Sequence, residues 1–203
     1  MKEKFKKYFG PTKFKRLFDI VVSFIALIVL SPLFLVICIA NLLTPNTSVF
    51  FSHERRGRKG KPFKIYKFQT MKNNTPNVAT GDLENPEQYI TKVGKFLRKT
   101  SLDELPQLWN ILKGDMSFVG PRPLSEMRAH RLRLEYGVYR FRPGLTGLAQ
   151  INGRDEISLM KKMKYDKIYC DNWSLKLDLI ILMKSVGVAL KQEGYQEGKM
   201  HRR

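Results

Sequence analysis

The run IVVSFIALIVLSPLFLVICIANLL, from Ile20 to Leu43, contains no Asp, Glu, Lys or Arg, and the uncharged stretch continues to Ser52. About 20 apolar residues are enough for a helix to cross a bilayer, so this run predicts a membrane-embedded segment. A secretory signal peptide is the alternative, because lysines precede the run. The run is too long for a usual signal core, and no small-residue cleavage site follows it.

Ser31-Pro32 lies in the middle of the run, where proline removes a backbone hydrogen bond and should kink the helix. A bent transmembrane helix is one interpretation, since kinks are tolerated in lipid. Both flanks, however, are similarly basic, and Lys and Arg near membrane ends prefer the cytoplasm. This favours a re-entrant helix-break-helix that enters and leaves by one face. The basic flanking residues are Lys2, Lys4, Lys6, Lys7, Lys13, Lys15, Arg16, Arg55, Arg56, Arg58, Lys59, Lys61, Lys64 and Lys67.

The rest of the chain predicts an α+β fold with a small sheet or hairpin and several helices. The segment VFFSHERRGRKGKPFKIYKFQTM reads as strand, basic turn and strand, with glycines in the connection. A polar loop, KNNTPNVATGDLENPEQ, follows it, and helical periodicity then returns near 89–99, 105–112 and 125–136. The C-terminal stretch beginning at Trp173 predicts an amphipathic helix that packs on the core, lies in the membrane interface, or does both with different faces.

The formal net charge is +19, which attracts polyanions such as nucleic acid, anionic lipid or phosphorylated small molecules. A membrane-tethered nucleic-acid binder would account for the charge, and the aromatics of KFKIYKF could stack on bases. That hypothesis does not account for the carboxylates and rigid turns described next. Cys38 and Cys170 have no metal-ligand spacing, and we assign them no chemistry.

Asp103-Glu104 is the pair of adjacent carboxylates in TSLDELPQLWNILKGDMSFVGPRP. Ser101 to Glu104 matches a helix capping box, which is a purely structural interpretation. Pro106 complicates it, because proline prefers the first helical position and would come late after a cap at Ser101. The pair lies either in the first turn of the helix or in the turn just before it, and in both arrangements it is at a helix N-terminus, which also favours a phosphate. A carboxylate can attack phosphorus, and a neighbouring carboxylate can help to hold Mg²⁺.

Four arginines recur beside glycine, proline or the carboxylate pair, and a guanidinium fork suits phosphate oxygens. Any one of them alone is more often a surface charge. The turns GPRP and RPGLTG fix backbone angles and would hold an arginine in place, so they read as walls of a phosphate pocket. These arginines are Arg98, Arg122, Arg142 and Arg154.

Six stretches follow one another in an order that is typical of a known family: KRLFD, Ser31-Pro32, FKIYKFQTM, LDELPQLWNILKGDMSFVGPRP, RPGLTGLAQINGR and the YDKIY–NWSLKLDL region. With them the chain resembles the bacterial sugar transferase family, the monotopic phosphoglycosyl transferases, from about Lys15 to Leu190. The resemblance implies transfer of a sugar phosphate from a UDP-sugar to polyprenyl (undecaprenyl) phosphate, with release of UMP. The product would start a surface glycan such as an exopolysaccharide, capsule or O-antigen, extended by downstream glycosyltransferases.

By that resemblance Asp103 is the nucleophile that forms an aspartyl-phosphosugar, and Glu104 is its partner in Mg²⁺ binding or proton transfer. The four arginines would contact phosphates or the nucleotide, and Lys67 is a weaker candidate. The family usually has Arg where Gln69 stands and Gln where His53 stands, so neither is given a role.

The resemblance also resolves the anchor towards a re-entrant helix broken at Ser31-Pro32, in the bacterial inner membrane and in contact with anionic lipids, with the catalytic domain in the cytoplasm. The predicted organisation is a basic segment 1–14, the re-entrant helix 15–44, the catalytic domain 45–193 and a disordered tail 194–203, the minimal single-domain form. A non-catalytic scaffold of a glycan-assembly complex is the alternative function. The sugar, the glycan and the oligomeric state, including a homodimer, stay open.

Overall fold

The structure is a computed structural model that describes residues 13–76, 83, 85–124, 127–153 and 156–191. The predicted segment 1–14 lies mostly, and the predicted tail 194–203 entirely, outside the described residues. The helices are α1 (Lys13–Val29), α2 (Ser31–Leu42), α3 (Lys92–Thr100), α4 (Gln107–Lys113), α5 (Met127–Glu135), α6 (Leu159–Asp171) and α7 (Leu175–Lys191). The strands are β1 (Phe50–Arg56), β2 (Pro62–Phe68), β3 (Ser117–Val119) and β4 (Gly144–Thr146). The mixed α+β class is confirmed.

The predicted kink is present where α1 meets α2, and the two helices are bent by 60°. Pro32 cannot donate to the preceding turn, and the Ser31 hydroxyl donates to the Ile28 carbonyl at 2.8 Å instead. Among the described residues, no single helix is long and apolar enough to cross a bilayer, whereas the bent pair reaches the required length and composition.

One side of α1 is polar and holds the helix to the rest of the protein. Lys15 is buried, and its Nζ donates to the Asp178 carboxylate on α7 at 2.5 Å and to the Val119 carbonyl at 2.9 Å. Asp19 accepts hydrogen bonds from the Ser117 hydroxyl and the Phe118 amide, each at 3.1 Å. The first half of α1 is therefore part of the domain core.

Replacing Lys15 with methionine is expected to destabilise the fold by about 3–5 kcal/mol, because it leaves Asp178 charged and buried without its cation. The measurement is the melting temperature in detergent. Lys13→Met, at an exposed lysine of the same helix, is the matched control. Equal melting temperatures for the two variants would show that the buried pair does not stabilise the fold.

The predicted hairpin is confirmed: β1 and β2 pair antiparallel, with Phe51 opposite Lys67 and Arg56 opposite Pro62. The asparagine amide of Asn110 on α4 extends this sheet, since it accepts from the Tyr66 amide at 3.0 Å and donates to the Lys64 carbonyl at 2.7 Å. These bonds fix α4 against the edge of β2.

A second, two-stranded parallel sheet joins β3 to β4, with Ser117 opposite Gly144 and Val119 opposite Thr146. The sequence patterns did not predict these short strands. The GPRP and RPGLTG turns meet here, because Gly120 donates to the Thr146 carbonyl and Gly144 to the Pro121 carbonyl. A Cβ on Gly120 would lie 2.4 Å from the Arg142 carbonyl oxygen, so only glycine permits this approach.

The C-terminal helix α7 packs on the core through Ile181, which is fully buried among Val119, Phe141 and Tyr169. Core packing was one of the two predicted placements. Trp173 also joins this cluster, and its indole donates to Asp178 at 3.2 Å. The opposite side of α7 keeps an exposed apolar stripe, made of Leu175, Leu179, Met183 and Val186.

Candidate active site

Asp103 and Glu104 lie on a single 3₁₀ turn, Leu102–Glu104, between α3 and α4. Ser101 before it is left-handed, with φ of 58°, and its side chain makes no capping bond. The capping-box interpretation is therefore wrong, since α4 begins only after Pro106. The alternative, that the pair lies in the turn before the helix, is confirmed.

Glu104 is held from two sides by cations. Its Oε1 accepts from Lys67 Nζ at 2.7 Å and from Arg122 Nη2 at 2.6 Å, and its Oε2 accepts from Arg122 Nη1 at 3.3 Å. Burial alone would raise the pKa of Glu104, but the charges and hydrogen bonds of Arg122 and Lys67 outweigh it and hold the pKa well below its usual range. Glu104 stays ionised and fixed in place.

Asp103 is equally buried but much less engaged. Its exposed fraction is 8%, and the nearest cation is Lys67, whose Nζ lies 3.7 Å from Oδ2. Within the described part of the chain, no group donates a hydrogen bond to this carboxylate. Burial raises its pKa, and the neighbouring Glu104 charge adds to that effect, although Lys67, Arg98 and Arg122 oppose it. The two carboxylates thus differ sharply in environment, which is how one site assigns different roles to similar groups.

Arg98, in the last turn of α3, is placed beside the carboxylate pair by Thr70. Its Nε donates to the Thr70 hydroxyl at 2.8 Å, and its charge lowers the pKa of Asp103. The α3 helix can pack this closely against Thr70 because residue 94 is glycine. A Cβ at that position would lie only 2.0 Å from the Thr70 carbonyl oxygen. The link between Thr70 and Arg98 had no sequence signal, since 28 residues separate them.

Arg122 is supported from behind by a buried ion pair between α5 and α6. Arg133 Nη2 donates both to the Asp166 carboxylate, at 2.8 Å, and to the main-chain carbonyl of Arg122. Burial raises the pKa of Asp166 to about 7, although the Arg133 charge opposes the shift. Because the same guanidinium binds the Arg122 backbone, this pair fixes the GPRP turn. Sequence reasoning missed both residues, as Arg133 lies in a charged segment that reads as solvent-exposed.

The structure does not bring all predicted arginines together. Arg142 Nε donates to the Gly114 carbonyl at 2.7 Å, in a separate cluster beside Arg16 and Arg58. Among the described residues it makes no contact with the carboxylate pair. Arg154 lies outside the described residues. Lys67, the weaker candidate, contacts both carboxylates.

His53 and Gln69, the two departures from the family pattern, have different surroundings. Burial and the nearby cations Arg55 and Lys67 lower the pKa of His53 to about 4, so its ring is neutral at ordinary pH. Gln69 donates to the Met71 carbonyl at 2.8 Å and to Asn73 at 2.7 Å, and thereby stabilises the turn after β2.

Whether the site can bind Mg²⁺ depends on how many carboxylate oxygen lone pairs are not already used in hydrogen bonds. Within the described residues, no group of three or more His, Cys, Asp or Glu side chains forms a protein-only metal site. Neither oxygen of Asp103 accepts a hydrogen bond from a described residue, although Lys67 Nζ lies 3.7 Å from Oδ2, and Glu104 Oε2 accepts only the 3.3 Å bond from Arg122. Mg²⁺ is commonly held by one or two carboxylates together with substrate phosphates and waters, and this pair fits that mode.

Comparison with known proteins gives a consistent family. The sequence model of the bacterial sugar transferase family matches residues 11–192. The chain is 41% identical over 199 residues to "Exopolysaccharide production protein ExoY" of Sinorhizobium fredii, covering 89% of this chain and 88% of that protein. It is 44% identical over 191 residues to the uncharacterized sugar transferase EpsL of Bacillus subtilis, covering 90% of each.

A longer relative carries a name that states a reaction. The "UDP-glucose:undecaprenyl-phosphate glucose-1-phosphate transferase" of Klebsiella pneumoniae is 44% identical over 182 residues, which are 85% of this chain but 39% of that protein. The chain therefore spans most of ExoY and EpsL and about two fifths of this relative.

Proposed function

Because this chain belongs to the bacterial sugar transferase family, and is thus an enzyme, we propose that it transfers a sugar phosphate from a UDP-sugar to polyprenyl phosphate and releases UMP. The relatives' names support the coarse reaction, namely sugar-phosphate transfer to a lipid carrier. The covalent route and the residue roles below are inferred from the site.

The contrast between the two carboxylates is the observation that carries this proposal. Glu104 is held by hydrogen bonds from Lys67 and Arg122, whereas Asp103 receives no hydrogen bond from any described residue and has a raised pKa. A carboxylate that is buried, basic and poorly hydrogen-bonded is the better nucleophile, because little solvation must be removed before it attacks. Asp103 is therefore the attacking group and Glu104 the fixed partner.

In the first half-reaction, an Asp103 carboxylate oxygen forms a bond to the sugar-linked phosphorus of the UDP-sugar. The bond from that phosphorus to the bridging oxygen breaks, and UMP leaves with the electron pair. Lys67, held between the two carboxylates, and Arg122, at the rigid GPRP turn, stabilise the charge on the phosphate oxygens. Arg98, whose charge acts on Asp103, supplies a third cation.

In the second half-reaction, an oxygen of the polyprenyl phosphate attacks the same phosphorus. The bond to Asp103 breaks, which regenerates the carboxylate and yields a polyprenyl-diphosphate sugar. The mechanism is ping-pong, since UMP leaves before the lipid reacts.

A Mg²⁺ ion bound by Asp103 and Glu104 would neutralise charge on the diphosphate of the donor. Lys67, Arg98 and Arg122 surround the two carboxylates and repel a lone cation. We therefore propose that metal and UDP-sugar bind together, with the diphosphate supplying both ligands and negative charge.

We also propose that α1 and α2 form a re-entrant anchor in the inner membrane, with the catalytic domain in the cytoplasm. The outer faces of both helices are apolar and exposed, as at Phe24, Ile28, Leu35 and Leu42, and the α7 stripe would lie in the interface. The 60° bend and the two basic flanks support entry and exit by one face.

The anchor proposal makes a topological prediction. Single cysteines introduced at Lys13 and at Lys59, in a background without Cys38 and Cys170, are expected to react with a membrane-impermeant maleimide only after the cells are opened. Labelling of one position in intact spheroplasts, with the other protected, would instead indicate a spanning segment.

The reaction is tested with the purified protein in detergent, Mg²⁺, undecaprenyl phosphate and a panel of UDP-sugars, by following UMP. UMP release that requires both Mg²⁺ and the lipid for repeated turnover is the expected result, and the panel identifies the sugar. A folded protein that releases no UMP from any donor, yet restores glycan synthesis in cells, would favour the scaffold alternative.

A further inference from the structure

A cavity of about 170 Å³ opens beside the carboxylate pair, and Glu104 and Arg122 are part of its lining. Its other walls come from the residues that flank the carboxylate turn, from β4 and the segment that follows it, and from α7. A cavity of about 150 Å³ in another protein holds one benzene molecule, so this space has room for a single six-membered ring. Its apolar lining includes Leu105, Leu145, Ile151 and Val188.

The hydroxyl groups in this cavity are arranged as acceptors. Ser185 on α7 donates its only hydroxyl hydrogen to the Ile181 carbonyl at 2.7 Å. The Thr146 hydroxyl lies 2.5 Å from the Ser185 oxygen, where either atom can donate, and with the Ser185 hydrogen on Ile181 the donor is Thr146. The lone pairs of Thr146 then remain available to a ligand that donates.

Gln150 adds a second acceptor. Its side chain lines the cavity and is 9% exposed, and its Nε2 makes only a long bond of 3.5 Å to the Leu145 carbonyl. Its Oε1 is buried and has no hydrogen-bond partner among the described residues. Oε1 is shielded in this conformation, so the weakly held amide must turn about its side-chain torsions to meet a ligand. Such an unpaired buried acceptor favours a ligand that brings a donor.

We propose that this cavity holds the sugar ring of the UDP-sugar, with Thr146 and Gln150 accepting hydrogen bonds from its hydroxyl groups. The inference rests on the proposed function, and it assigns substrate selectivity to these two residues. The sugar's phosphate then lies beside Arg122, close to the nucleophile. The apolar walls contact the C–H faces of the ring.

Two other parts of the substrates match the cavity less well. An isoprenoid chain has no donor, so it would leave the Gln150 oxygen unpaired and offer nothing to the remaining lone pair of Thr146. Uracil has one ring N–H that can donate. Its two carbonyl groups can only accept, so they make no hydrogen bond with the acceptors Thr146 and Gln150. A sugar ring offers several hydroxyl donors around a compact apolar frame, which is the complement of this lining.

Gln150→Met and Thr146→Val test the inference, because each removes an acceptor while nearly keeping the volume. Binding of the UDP-sugar and of UDP is measured by calorimetry in an Asp103→Asn background, where no transfer occurs. Each variant is expected to weaken UDP-sugar binding by about 10-fold or more and to leave UDP binding unchanged. Gln88→Met, at an exposed glutamine, is the matched control, and melting temperatures establish that the variants fold.

Donor analogues that lack one hydroxyl then identify the contact. In the enzyme with wild-type Asp103 and Gln150, removing the hydroxyl that meets Gln150 is expected to lower kcat/KM of UMP release by about 10-fold or more. In Gln150→Met, removing the same hydroxyl is expected to lower kcat/KM no further. Equal weakening of UDP and UDP-sugar, or a rise only in the KM for polyprenyl phosphate, would assign the cavity to uracil or to the lipid and overturn the inference.

The two levels of failure are distinguishable. If the unmodified enzyme releases UMP normally and Gln150→Met binds and turns over every donor alike, the sugar subsite is wrong while the reaction stands. If the unmodified enzyme neither binds a UDP-sugar more tightly than UDP nor releases UMP, the proposed function fails and this inference fails with it.

Discussion

Replacing Asp103 with asparagine is expected to lower UMP release by at least about a thousandfold, because losing a covalent nucleophile removes the chemical step itself. The change keeps the size of the side chain and removes its charge. A sharper readout is the half-reaction without lipid, in which the wild-type enzyme should exchange labelled UMP into the UDP-sugar. Asp103→Asn should show no exchange, and this absence locates the defect in formation of the aspartyl-phosphosugar.

The control for this prediction is Asp171→Asn, at an aspartate on α6 that pairs with Lys167 at the surface. It should keep nearly full activity. Exchange that persists in Asp103→Asn would rule out Asp103 as the nucleophile, and normal glycan synthesis by that variant in cells would restore the scaffold alternative.

Asp103→Asn is expected to lower activity but to raise the stability of the fold, because Asp103 is buried. Its pKa is raised in the folded protein, so the folded state loses stability as pH rises through that pKa, compared with an ordinary aspartate. Asparagine removes this penalty, and the melting temperature of Asp103→Asn at neutral pH should be higher than that of the wild type. Activity needs the ionised form, so the acid limb of the pH profile should lie above the ordinary pKa of aspartate, about 3.9. A lower melting temperature, or an acid limb at or below pH 4, would contradict the burial argument.

The features that the sequence could predict are those that act locally. The bend at Ser31-Pro32 follows from the missing N–H of proline, and the β1–β2 hairpin follows from strand propensity and turn glycines. Pro106 also indicated the turn before the helix as one of two placements for the carboxylate pair, and the structure has that one. In each case neighbouring residues alone decide the conformation.

The site's supporting contacts depend on residues far apart in the chain, and no local pattern encodes them. Lys67 meets Glu104 because Asn110 fixes α4 on the edge of β2, and no local pattern in the sequence indicates this contact. The Arg133–Asp166 pair was missed because a charged helix normally faces water. Conversely, Arg142 has a favourable turn sequence but joins a different cluster.

Arg122→Met is expected to lower kcat/KM by about 100-fold or more, since it removes a phosphate contact and one of the two cations that fix Glu104. Arg122→Lys should be nearly as damaging, because an ammonium cannot replace the guanidinium fork that spans both oxygens of Glu104. The pKa of Glu104, now held below its usual range, should rise in Arg122→Met as burial is less opposed. A second acid-side group should then appear in the pH profile of this variant. Arg131→Met, at an exposed arginine of α5, is the matched control.

A double-mutant cycle separates the two roles of Arg122. If Arg122 acts mainly by holding Glu104, then Glu104→Gln and Arg122→Met should cost little more together than either does alone. If Arg122 mainly contacts the donor's phosphates, the two losses should multiply, and the KM for the UDP-sugar should rise more than kcat falls. Full activity of Arg122→Lys would contradict both roles, because neither the fork on Glu104 nor a bidentate grip on phosphate survives that change.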